Sequence, residues 1–231
     1  MIYFRVKKLF RQDIMITKEI KLIEYSKNVD RGNCISHALG AVLAVAGAVF
    51  LLLRAEEMRQ ILSAVIYCFS LICVYTVSAT YHGLATGEAK RIARLIDHSA
   101  IPVLIAGTAT PCALITVYEI SPAHSLTVLI IAWFCALFGV FAKLFFFQKL
   151  RKVTVAVYII SCAAMLLSVV PIIGEINAAA FRGILAGCVL YLIGAFFCWL
   201  GIKREAFHIV FHVFVLFGSA AHFYVIYTYM F

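Results

Sequence analysis

The chain has 231 residues, 65% of them hydrophobic, a formal net charge of +9 and a mean hydropathy of +1.02. So apolar a composition excludes a soluble domain and requires an integral membrane protein. The positive charge, which in a soluble protein would suggest nucleic acid, is accounted for by membrane topology, and no nucleic-acid partner is expected.

Residues 1–31 mix Phe4, Leu9, Phe10, Ile14 and Ile20 with Lys7, Lys8, Arg11 and Lys18. Two readings stand for them: a basic cytoplasmic tail that sets topology, or an interfacial amphipathic helix held by anionic lipid. With no continuous apolar run, they are not read as a signal peptide. From residue 32 onward the chain forms one transmembrane domain. Apolar runs predict seven spanning helices, at about Cys34–Leu53, Ile61–Leu84, Ile92–Val117, Leu126–Phe147, Val153–Ile173, Ile184–Ile202 and Ala206–Phe231. The fold class is therefore all-α, a seven-helix membrane bundle with short connections.

Of the 20 Lys and Arg, only Arg54, Arg59 and Arg182 fall on the side opposite the N-terminus. That asymmetry predicts a cytoplasmic N-terminus and an outer C-terminus in a multi-pass protein of the cell (inner) membrane. All eight cysteines lie inside apolar runs and read as packing residues rather than bridges. Gly40, Gly47, Gly107, Gly187, Gly194 and Gly218 allow close helix approach. Pro102 and Pro111 are expected to bend the third span just beyond Asp97. No internal repeat is evident. No polar stripe is expected to cross the whole bundle, which argues against a wide pore.

The topology brings ionisable residues to one depth. Ser78 and His82 lie at the cytoplasmic end of the second span, Asp97 and His98 in the first turns of the third, and His208 and His212 in the first turns of the seventh. Asn33 and His37 occupy the same depth on the first span. Polar side chains in hydrocarbon need partners, and His208 and His212 share a helix face at i, i+4. With His82 they supply three imidazoles and an open position, the ligand count of a catalytic zinc site, and zinc lowers the pKa of water to about 7. Asp97, the carboxylate inside a span on that side, is either the general base or an acceptor that orients an imidazole or the water. Ser78 would hydrogen-bond the water or a substrate carbonyl. His98 reads as a helix-start residue about 100° round from Asp97. His37 has either a supporting or a headgroup-facing role. His222 lies about 15 Å along the helix from His212, too far for the same ion.

The segments Asn33–Gly40 (NCISHALG), Ser78–His82 (SATYH), Asp97–Pro111 (DHSAIPVLIAGTATP) and His208–Tyr224 (HIVFHVFVLFGSAAHFY) together resemble the bacterial haemolysin III family. That family belongs with the progestin and adipoQ receptors, adiponectin receptors included, and more distantly with alkaline ceramidases. The resemblance runs from about Glu24 to the C-terminus. It implies zinc near the cytoplasmic side held by His82, His208 and His212, with Ser78 and Asp97 beside it and Asp97 acting through water. The eukaryotic relatives imply hydrolysis of a lipid amide, ceramide-like in class. The chain departs from the family in its extended basic N-terminus and in Asp30-Arg31-Gly32 before Asn33. Three functions compete: a zinc-dependent lipid amide hydrolase, a membrane sensor or regulator with structural zinc, and a lytic protein causing cytolysis. Membrane lipids are the expected partners; the oligomeric state is open.

Overall fold

The computed structural model describes residues 20–147 and 151–231, with side chains throughout except at 151–155. Among the described residues seven helices follow one another: α1 Lys27–Arg54, α2 Met58–Gly83, α3 Glu88–Pro111 (continued through a π turn, Cys112–Val117, and Tyr118–Ile120), α4 Pro122–Phe146, α5 Arg151–Ser168, α6 Ala178–Leu200 and α7 Ala206–Tyr229. Six are long and apolar enough to cross a membrane. The fifth is shorter: its apolar stretch, Ala156–Ile172, ends in a 3-10 turn around Pro171 and is about 25 Å long at 1.5 Å per residue. The protein is thus a multi-pass membrane protein. Residues 1–19, most of the expected tail and its interfacial helix, lie outside the described residues.

Consecutive helices pack side by side from α1 to α5, α6 packs on α7, and α7 returns to α1. Polarity is reversed relative to a soluble bundle. On α1, Asn33, His37, Gly40, Ala44, Gly47 and Leu51 face inward, while Ile35, Leu39, Leu43, Phe50 and Leu53 are exposed to lipid. In hydrocarbon an exposed leucine costs nothing, so close approach and hydrogen bonding decide which face turns in. The first helix therefore starts at Lys27, seven residues before the apolar run at Cys34, because its polar first turns have partners in the bundle.

The α2 face carries a feature the sequence reading did not anticipate. Ser63, Tyr67, Ser70, Tyr75, Ser78 and His82 are all buried along it, and the Tyr75 hydroxyl donates to Ser219 Oγ on α7 at 2.6 Å. Tyr191 of α6 meets the same Oγ at 2.7 Å. A polar column thus does run down the bundle. It is packed shut, with Ser63 and Tyr67 both 0% exposed, so it links helices instead of opening a pore. At its far end Gln60 completes a capping box with Glu57 at the start of α2 and donates to the Met230 carbonyl at 3.0 Å.

The eight cysteines are all unbridged. The helix runs through Pro102, and the irregularity expected near it appears instead after Pro111, as the π turn Cys112–Val117. The helices approach closely where α3 crosses α2: a Cβ on Gly107 would lie 2.6 Å from Ser70 Cβ, whereas one on Gly174 meets nothing within 4 Å. Gly107→Ala is therefore expected to cost about 1–3 kcal/mol through overpacking and to lower the melting temperature in detergent. Gly174→Ala should leave it unchanged; equal melting of the two variants would contradict this helix contact.

Candidate metal centre

Four helix ends meet at one end of the bundle: the starts of α1, α3 and α7 and the finish of α2. His82 is the penultimate residue of α2, and His208 and His212 occupy the first two turns of α7. Their ring centroids are 5.4 Å (His82–His208), 4.9 Å (His82–His212) and 4.9 Å (His208–His212) apart. One ligand atom from each lies within 4.8 Å of the others. Three imidazoles with ligand atoms this close are the donor set of a zinc site. Among the described residues this is the group of His, Cys and acidic side chains with metal-site geometry.

The ring nitrogens of His82 are differently placed. Nδ1 lies 2.8 Å from Asp30 Oδ1, and the other oxygen of Asp30 accepts from Lys90 Nζ at 2.6 Å. A carboxylate only accepts, so Nδ1 carries the proton and Nε2 keeps its lone pair. Nε2 is buried and has no hydrogen-bond partner within the protein, an arrangement that costs about 1–3 kcal/mol unless something takes the lone pair. The donor set and this orphaned atom fit a metal ion. His212 Nδ1 lies 3.5 Å from Ser36 Oγ.

Asp97 stands beside this group and not within it. Ser78 hydrogen-bonds its carboxylate, and Ser78 is one helical turn before His82, about 5–6 Å between Cβ atoms. Ser78 and Asp97 thus form a pair adjoining the histidines. His37 is a fourth imidazole, buried and stacked on His212 with centroids 3.8 Å apart and planes 24° from parallel. The group with metal-site geometry comprises His82, His208 and His212 without His37, which flanks it through this stacking. Its burial removes the headgroup-facing alternative. His98 lies edge-on to Phe147 at 5.3 Å. His222, far along α7, meets the Ile184 carbonyl at 2.9 Å through Nε2.

Three neighbours of the histidines were not singled out as site residues from the sequence. In the sequence Asp30 stands only as a departure from the family pattern, and Lys90 is one of the basic residues on the N-terminal side. The signal for Asp30 was present: with Asn33 and His37 it follows i, i+3, i+7 spacing, one face of a helix begun at Lys27. Tyr25 had no local signal. It lies in the segment 20–26, which is held by the Ser26 N–H on Glu205 Oε2 at 2.6 Å and by Arg94 donating to the Lys21 carbonyl. Its ring stacks on His208 at 5.0 Å and 21° and lies 5.6 Å from His82. Burial, and next the neighbouring Tyr81, push its phenol well above the usual range, so it stays neutral there. Beside it a cavity of about 830 Å³, lined among others by Leu22, Tyr25, Asp30, His82 and Lys90, reaches the site from the bundle end.

The sequence matches a family model described as haemolysin-III related over residues 25–223. It is 34% identical over 202 residues to a hemolysin-3 homolog of Bacillus subtilis (strain 168), covering 85% of this chain and 92% of that protein. It is 30% identical over 220 residues to a hemolysin-3 of Bacillus cereus, covering 94% and 98%.

Because Tyr25 covers His208, Tyr25→Ala is expected to raise the rate of histidine carbethoxylation by diethyl pyrocarbonate several-fold in metal-free protein. Tyr25→Phe, which keeps the ring, should react like wild type. An Ala variant no faster than wild type would mean that the segment does not shield the site.

Proposed function

The chain belongs to the haemolysin-III-related family, and from that premise we propose that it is a membrane-embedded zinc-binding protein that hydrolyses a lipid amide, ceramide-like in class. The observation that carries the reading is the buried, unpartnered Nε2 of His82, in a ring grouped with His208 and His212 and held through Nδ1 by Asp30. Zinc bound by three imidazoles acidifies a water and polarises a carbonyl. The remaining work falls to the chain. Asp97 receives the proton of the attacking water and passes it to the departing amine, so that water and amide become carboxylic acid and amine. Ser78, hydrogen-bonded to Asp97, aims that carboxylate. Tyr25 keeps bulk water off the histidines on one side. The substrate comes from the surrounding membrane lipid, and the basic asymmetry of the loops supports a cytoplasmic N-terminus in the cell membrane, with the site on the cytoplasmic side.

Two other readings have support. The histidines join α2 to α7, elements from opposite parts of the chain, which suits a structural zinc in a sensor; chelation would then lower stability with no product formed. The relatives carry hemolysin names, which suits a lytic protein, although the packed polar column speaks against a pore.

Purified without chelators, the wild type should contain about one zinc per chain by elemental analysis, and His82→Ala, His208→Ala and His212→Ala should each lose it. Asp97→Asn should retain the metal and lose at least about 100-fold in ceramide hydrolysis, the lower range for an acid–base group. Metal without turnover on any lipid amide would favour the sensor reading, and absence of metal would end both zinc readings. Dye-loaded liposomes containing the protein should not leak; leakage would favour the lytic one.

A further inference from the structure

We propose that Asp30 is a positioning residue of the histidine site: it fixes the tautomer and orientation of His82, so that Nε2 is the atom presented to the metal. The inference rests on the reading of the three histidines as a metal site. Both Asp30 oxygens are occupied, Oδ1 by His82 Nδ1 at 2.8 Å and Oδ2 by Lys90 Nζ at 2.6 Å. Asp30 therefore acts through His82 and is not itself a ligand.

The side chains of His82 and Lys90 are 1% and 5% exposed and that of Asp30 is 18% exposed. In such surroundings a carboxylate–imidazole contact persists, and the ammonium balances the carboxylate charge. The three residues come from the first turn of α1, the last turn of α2 and the first turn of α3. Rotating His82 about its χ angles would break the contact with Asp30, so the network triangulates the ring. A carboxylate behind a ligating imidazole also raises its basicity toward the metal. His212 is held by neutral groups, the Ser36 hydroxyl 3.5 Å from its Nδ1 and the backbone of Asn33, whereas His82 is the ring hydrogen-bonded to a carboxylate.

The test uses the full chain in detergent, loaded with zinc and separately with cobalt. Affinity is read by competition with a chromogenic chelator, and ligand geometry by the cobalt absorption bands. Asp30→Asn, which keeps size and an acceptor but not the charge, should weaken zinc about 10-fold, and Asp30→Ala up to about 100-fold, each with shifted cobalt bands. Lys90→Met frees one Asp30 oxygen but leaves the contact with His82; it should weaken zinc clearly less than Asp30→Ala does, with unshifted bands. Asp30 variants that bind like wild type would overturn the proposal. So would Lys90→Met losing as much as Asp30→Ala, since the network would then only hold α1 against α3. If Asp30→Ala fails to fold, Asp30→Asn decides. A wild type that binds no stoichiometric metal would instead overturn the metal-site reading, and this inference with it.

Discussion

Four imidazoles, three of them buried and His208 half-buried, lie within a few ångströms of one another at one end of a bundle otherwise faced by lipid, and they set the terms for the rest of this structure. Imidazole nitrogens deprived of water each need a partner. Asp30 hydrogen-bonds His82 and Ser36 lies beside His212, while the ring of Tyr25 covers the face of His208. Meeting those needs brings α1, α2 and α7 together at this end and draws the segment 20–26 across it. Nε2 of His82 is left without a partner within the protein, in the ring grouped with His208 and His212.

The same logic explains why the bundle is polar inside and apolar outside. Lipid tails exert no hydrophobic preference between one aliphatic face and another, so helix association relies on close packing and hydrogen bonds. Gly107 against Ser70 is one device, and the hydroxyls of Tyr75 and Tyr191 on Ser219 are another. Below the histidines these contacts form a dry column, which keeps the site a terminal feature and not the mouth of a channel.

Ser78 illustrates how one helix face serves both purposes. It lies in the buried row that joins α2 to its neighbours, yet it holds Asp97 one turn from His82. The helix that ties the bundle together thus also sets the spacing between the carboxylate and the histidines, and a shift of α2 along its axis would alter both together.

The number of helices and their all-α character were legible in the chain because apolar runs of membrane length are a one-dimensional signal. The convergence of His82, Asp97, His208 and His212 at one depth was legible too, since alternating spans convert sequence position into depth. Depth is not contact, however. The rotation of each helix about its axis depends on which faces pack, and this separated Asp97, paired with Ser78, from the three histidines that adjoin one another. The helical turns before the apolar run of α1 were not legible for a related reason: they are charged, and Lys90 and His82 from other helices supply the partners of the half-buried Asp30. Tyr25 depended wholly on tertiary structure, because a segment without periodicity carries no record of what it covers. Composition and period thus determined the elements and their levels in the membrane; packing between helices decided which polar groups meet, because partner choice is a property of pairs that no single segment encodes.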